Sequence, residues 1–242
     1  MIEITNLSKE FGPLKAVDNI SFQVAPGQVM GFLGPNGAGK TTTMRMITGF
    51  LSPCQGNIKV CGYDVQENTK KAKEKIGYLP EGAPVYGDMT PWSFLNFIAD
   101  IRKFQGSAKK QRIEETVAKL ELSKVMHQNI DTLSKGFKRR VGLAQAILHE
   151  PDILILDEPT DGLDPNQKHH VRELIKKMAA QKTIIISTHI LEEVEAICTN
   201  ALIIAKGKIV SEGTPIAEGW KFGEKIAPPG GLDQLFRDIT QA

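Results

Sequence analysis

The chain has 242 residues, 41% of them hydrophobic, and a formal net charge of +2. That is apolar material for one large domain or two small ones, and a charge too small to mark a nucleic-acid or membrane surface by itself. No apolar run approaches the ~18 residues of a membrane helix, MIEITNLSKE lacks a signal-peptide pattern, and Cys54, Cys61 and Cys198 lack metal-site spacing, so a globular protein of a reducing, cytoplasmic compartment is expected.

In chain order, IEITNL and NISFQV read as strands, the second bounded by Pro26-Gly27. VMGFL reads as a buried strand, GPNGAGK as a loop and TTTMRMITGF as a helix. GNIKVCGYDV is a strand pair, and IGYLPEG a short strand ending at Pro80. From Pro84 to Glu150 helical periods dominate, as in WSFLNFIADIRKF and QRIEETVAKLEL, which predicts a helical insertion. DILILDE and KTIIISTH are continuous apolar runs typical of parallel strands covered on both faces, and VRELIKKMAA between them completes a βαβ unit. ALIIAKGKIV suggests a terminal hairpin, GWKFGEKIAPPGG a Gly/Pro-rich connector and LDQLFRDIT a short closing helix.

Gly34, four residues, then Gly39, Lys40 and Thr41 fit G-x-x-x-x-G-K-[ST] between a strand and a helix. Glycine lets the backbone take positive φ and bring N–H groups close to a ligand, and the helix N-terminus favours phosphate. The segment therefore predicts a nucleoside triphosphate site. Lys40 would span the β- and γ-phosphates, the Thr41 hydroxyl would ligate Mg²⁺, and Thr42 would reach the α-phosphate.

ILILDEP puts Asp157 and Glu158 at the carboxyl end of a buried strand, where open α/β sheets place ligands. Strand alternation points the two apart, which suggests Asp157 for Mg²⁺ and Glu158 for orienting or deprotonating the attacking water. IIISTHI brings His189 to the same sheet edge, within reach of a γ-phosphate. Other patterns are weaker. KKAKEK and KGFKRR are expected to be solvated charged faces, the adjacent His169 and His170 point apart on a helix and lack metal-ligand company, and Trp92 and Phe94 are expected in the helical core.

In their order these pieces resemble the ATP-binding subunits of ABC transporters, over nearly the whole chain. GPNGAGKTT resembles the Walker A loop, GYLPE the Q-loop region, LSKGFKRR the signature, ILILDEP Walker B, TDGLD the D-loop and STH the switch histidine. The resemblance implies one α/β P-loop NTPase domain with a mainly parallel central sheet, an N-terminal antiparallel β subdomain and an inserted α-helical subdomain. Its catalytic core would be 1–83 and 151–218, its helical subdomain 84–150, and its C-terminal connector and helix 219–242.

It further implies ATP contacts from Phe11, stacked on adenine, and from Gly34, Pro35, Asn36, Gly37, Ala38, Gly39, Lys40, Thr41, Thr42 and Glu81. Ser134, Gly136 and Asp164 would reach ATP held by a second copy of the chain. Mg²⁺ would take Thr41, Asp157 and Glu81, and catalysis Glu158 and His189. The implied partners are a second copy, in an ATP-dependent dimer, and an integral-membrane permease at the cytoplasmic face of the inner membrane, with no nucleic acid. GYLPEGAPVYGDMT with LSKGFKRRVGLAQA is similar to subunits serving exporters for gliding motility, drugs or polysaccharides. Glu81, Lys135 and Phe137 depart from the commonest family pattern, and a soluble ATPase of the same family acting on DNA or ribosomes is the competing reading.

Overall fold

A computed structural model describes residues 1–82 and 85–240. The boundary expected between 83 and 84, and the last two residues of the segment 219–242, lie outside the described residues.

β1 (Ile2–Phe11) and β2 (Leu14–Val24) pair antiparallel, and β4 (Gln55–Val60) and β5 (Tyr63–Asp64) extend them in the order β2-β1-β4-β5. The second sheet contains β3 (Val29–Leu33), β6 (Ile76–Leu79), β7 (Ile153–Asp157), β8 (Thr183–Thr188), β9 (Asn200–Ala205), β10 (Lys208–Ile216), β11 (Gly219–Phe222) and β12 (Lys225–Ala227). Its order is β12-β11-β10-β9-β3-β8-β7-β6, and the run from β9 to β6 is parallel throughout.

Every residue of β3, β7 and β8 is buried, as continuous apolar runs require when both faces are covered. Alternation sorts them between two cores. Met30, Phe32, Ile153, Ile155 and Ile185 pack with the N-terminal antiparallel sheet, while Val29, Leu33, Leu154, Leu156, Ile184 and Ile186 pack with helices. Each such side chain contributes about 1.5–3 kcal/mol by burial.

The helices are α1 (Lys40–Ile47), α2 (Thr69–Glu74), α3 (Pro91–Ile101), α4 (Gly106–Lys119), α5 (Lys135–Ile147), α6 (Pro165–Ala179), α7 (Leu191–Ile197) and α8 (Leu232–Thr240). The insertion between β6 and β7 is α3, α4 and α5, with short 3₁₀ turns. Two helices open on proline behind a capping side chain: Thr90 Oγ1 accepts from Ser93 N at 3.2 Å before Pro91, and Asp164 Oδ1 accepts from Gln167 N at 3.0 Å before Pro165.

Three expectations need correction. The segment after residue 218 is a β-hairpin before it is a connector: β11 pairs with β10 and β12 with β11, and the alternate residues Trp220 and Phe222 are buried. Phe94 is a core residue, but Trp92 at the start of α3 remains 38% exposed. KGFKRR is solvated only in part: Lys135 is exposed and Lys138 half-buried, but Arg139 and Arg140 are buried with their guanidinium groups bonded to backbone carbonyls.

Candidate functional site

The phosphate loop leaves β3 and closes at Gly39, whose φ is 104°. A Cβ there would lie 2.4 Å from the Ala16 carbonyl oxygen, so only glycine fits. α1 then begins with no side-chain cap and no acid in its first turn, leaving the partial positive charge of its N-terminus for an anion. Lys40 is buried, and its Nζ donates to the carbonyls of Gly34 at 2.7 Å and Pro35 at 3.2 Å. Burial draws the ammonium's pKa down, opposed by the negative charges of Glu158, Asp157 and Glu81. Of the three threonines, Thr43 turns inward and donates to Gly39 O at 2.9 Å, while Thr41 and Thr42 stay half-buried at the pocket.

A cleft of about 680 Å³ lies over this loop. It gathers Phe11, Asn36, Gly37, Ala38, Gly39, Lys40, Thr41, Thr42, Glu81, Asp157 and Glu158. Phe11 ends β1 and is 48% exposed, and Lys9 Nζ lies 5.4 Å from its ring centroid. Gly34 and Pro35 lie beneath the cleft, where their carbonyls hold Lys40.

Leu14, Lys15, Ala16 and Lys206 also line the cleft and were not singled out from the sequence. The signal for Lys206 was available: β9 runs parallel to β3, so the turn after β9 emerges at the carboxyl edge where such sheets bind ligands. That turn is tied in place by Gly207 N donating to Ala38 O at 3.0 Å and Asp18 N donating to Gly207 O at 2.8 Å.

Asp157 ends β7 at 1% exposure, and neither carboxylate oxygen has a hydrogen-bond partner among the described residues. A buried carboxylate without partners is costly unless a cation satisfies it. Together with Thr41 and Glu81 in the same cleft, these hard oxygen donors suit Mg²⁺. Glu158 diverges from Asp157 because the strand has ended, not because of strand alternation: its φ is 52°, a left-handed conformation. Its Oε1 lies 2.9 Å from His189 Nδ1, and its backbone N donates to Ser187 O at 2.9 Å. His189 is exposed beside it and does not itself line the cleft.

Arg139 is a further residue that sequence reasoning passed over. Its guanidinium donates to the carbonyls of Asp157 and Glu158, to Pro159 O at 3.4 Å and to Pro80 O at 3.2 Å. One side chain from α5 thus clamps the turn after β7 to the end of β6. Burial lowers its pKa, and the nearby Asp161, Asp157, Glu158 and Glu81 oppose that.

Ser134, Gly136 and Asp164 lie apart from the cleft. Ser134 caps α5, its Oγ accepting from Phe137 N at 3.4 Å, and Asp164 caps α6. Gly136 is buried under Gln167, whose Oε1 would lie 2.2 Å from an added Cβ. Phe137 provides a platform for Arg140, whose guanidinium carbon is 4.4 Å from the ring centroid. His170 Nδ1 lies 3.2 Å from Glu121 Oε1, and no metal-holding cluster of His, Cys, Asp or Glu occurs among the described residues.

A strand, phosphate loop and helix meet an acidic strand end at one cleft, with His189 bonded to Glu158 beside it, and the comparisons give the family. The family described as ABC transporter matches residues 17–161. The chain belongs to that family. It is an ATPase cassette of the family, a class that binds ATP. The chain is 38% identical over 219 residues to Nod factor export ATP-binding protein I of Paraburkholderia xenovorans, covering 89% of this chain and 71% of that one. It is 36% identical over 219 residues to "Probable multidrug ABC transporter ATP-binding protein YbhF" of Escherichia coli, covering 89% of this chain but only 37% of that relative's length. A solved structure described as an ATP-binding subunit of an ABC transporter superposes with a TM-score of 0.82 at 29% identity, covering 88% of this chain and 90% of that one.

Proposed function

We propose that this chain hydrolyses ATP between two head-to-tail copies and drives substrate movement, in the export direction, through a separate membrane subunit at the cytoplasmic face. The observation that carries the reading is the convergence of Lys40, Asp157 and the His189-bonded Glu158 on the phosphate-loop cleft.

Phe11 at the cleft mouth offers its exposed ring to adenine. The N–H groups from Asn36 to Thr42 cradle phosphate oxygens, and Lys40 adds a cation beside the β- and γ-phosphates. Thr41, Asp157 and Glu81 would hold Mg²⁺, which would supply charge neutralisation at the transferring phosphoryl group. Glu158 accepts a proton from the attacking water, a role that contributes about 10²–10⁴-fold. His189, bonded to Glu158 Oε1, orients that carboxylate and can turn a ring N–H toward the γ-phosphate.

The two-copy arrangement is supported by what lies outside the cleft. Ser134 and the N-terminus of α5 are exposed away from the chain's own phosphate loop, so they are free to meet ATP bound to another copy, with Asp164 beside them. A membrane partner is supported by a second groove, about 600 Å³, between α1, β6 and α3. Apolar Phe50, 79% exposed, with Ile98 and Ile101, shares it with Arg45, Lys73 and Arg102, which suits a short amphipathic helix carrying an acidic group. No helix among the described residues is long and apolar enough to cross a membrane. The export direction is supported by the names of the relatives, Nod factor export and multidrug transport.

Purification of the tagged chain from detergent-solubilised membranes tests the reading. A polytopic membrane protein should be retained, and the eluted complex should release phosphate from ATP. Retention of nucleic acid or ribosomes with no membrane protein would overturn the transport reading.

A further inference from the structure

Glu193, on the first turn of α7, is a buried acid that the site described above does not use. It is 1% exposed, and no lysine, arginine or histidine lies within ion-pair distance among the described residues. Between it and Glu158 stands Thr188, fully buried at the end of β8. Thr188 Oγ1 is 3.0 Å from Glu193 Oε2 and 3.4 Å from Glu158 Oε2, and it accepts from Ile190 N at 3.0 Å.

A hydroxyl has one hydrogen and two lone pairs. Ile190 N–H takes one lone pair, and the single hydrogen can be given in full to only one of the two carboxyl groups. Both contacts become full hydrogen bonds only if one carboxyl brings its own proton and fills the second lone pair. Glu158 faces His189 and the open cleft, whereas Glu193 is buried on the inner side of α7, so the proton belongs on Glu193.

We propose that Glu193 is a positioning residue for ATP hydrolysis: its neutral carboxyl donates to Thr188, whose hydroxyl donates to Glu158 Oε2, while His189 holds Oε1. Both oxygens of the base are then fixed, one from each side, and the carboxylate cannot rotate away from the attacking water. Burial pushes the Glu193 carboxyl above its usual range. The hydrogen bond from Thr188 and the charges of Arg172 and Lys168 on α6 oppose this shift, whereas Glu158 reinforces it. The Cys198 thiol at the far end of α7 is raised by burial and by Glu193. The inference rests on Glu158 acting as the base.

The test compares Mg-ATP hydrolysis and nucleotide affinity across four variants. Glu193→Gln keeps a donor without a charge and should hold kcat within about twofold, whereas Glu193→Ala and Thr188→Val should each lower kcat about tenfold at unchanged KM and ATP affinity. Because both act through one hydroxyl, the Glu193→Ala/Thr188→Val double variant should fall no further than the worse single variant. Wild-type kcat in Thr188→Val, which keeps the side chain's shape and leaves no cavity, would overturn the proposal. So would a Glu193→Gln loss as large as that of Glu193→Ala. Failure of Glu158→Gln to reduce hydrolysis would instead remove the base assignment, a result separable from the behaviour of the Glu193 variants.

Discussion

At the residue scale, the cleft concentrates its chemistry on side chains with very different surroundings. Lys40 is held by two carbonyls of its own loop, so its ammonium is preorganised where phosphates would lie. Charge-assisted bonds of this kind are worth about 1.5–3 kcal/mol, and Lys40→Ala should weaken ATP binding roughly 10- to 100-fold in a calorimetric titration. Unchanged affinity would contradict its assignment. Glu158→Gln preserves shape and the contact to His189 but removes the base, so phosphate release should drop about 10²- to 10⁴-fold while ATP still binds. Lys40, Thr41, Asp157 and Glu158 were legible in the sequence because their pattern is local to one strand-loop-helix or one strand end. Lys206 was not, because it reaches the cleft only through the parallel pairing of β9 with β3. Arg139 was hidden for a similar reason, its partners being backbone carbonyls of distant segments, whereas Glu193 meets Thr188 only five residues earlier, through the turn between β8 and α7.

At the element scale, α5 carries the connection between the helical insertion and the site. Arg139 reaches Pro80 O and the turn after β7, and in the turn just past the end of α5 His149 Nε2 lies 3.0 Å from Ile76 O of β6. Lysine keeps the charge of Arg139 but not its planar fork of donors. Arg139→Lys should therefore leave carbonyls unsatisfied at about 1–3 kcal/mol, lowering Tm by roughly 2–10 °C in a thermal melt.

His149 gives a pH signature. Burial, reinforced by Arg102 and Lys182, pushes its pKa down to about 4, with the Ile76 bond and Glu150 opposing. The unfolded chain takes up that proton near pH ~6.5, before the folded chain does. Its contribution is therefore intact above ~6.5 and is lost as pH falls toward 4, by up to about 3 kcal/mol. Melts of the wild type and His149→Gln over that window should converge as the pH drops; parallel curves would contradict the buried neutral imidazole. The strands and helices of the core were readable from their periods, but β11 and β12 were not. Each has four residues or fewer between Gly and Pro signals, and their strand character comes from pairing onto β10 and burying Trp220 and Phe222.

At the scale of the whole molecule, the parallel sheet places the phosphate loop and the acidic end of β7 on one edge, while the helical insertion holds Ser134 and the N-terminus of α5 away from it. On the proposed reading, the loop side of the site lies within one chain and the exposed Ser134 side is left for a second copy. Order of motifs along the chain was enough to anticipate the two subdomains and the separation of Ser134 from Lys40. The sequence could not show that Gly136 is covered by Gln167, because that contact joins α5 to α6 across the fold. The most direct measurement of this account is the mass of Glu158→Gln by light scattering in saturating Mg-ATP. Blocked hydrolysis with retained binding should shift the particle to the mass of two chains, returning to one when nucleotide is removed. A particle that stays at the mass of one chain with ATP bound would contradict a site completed by a second copy.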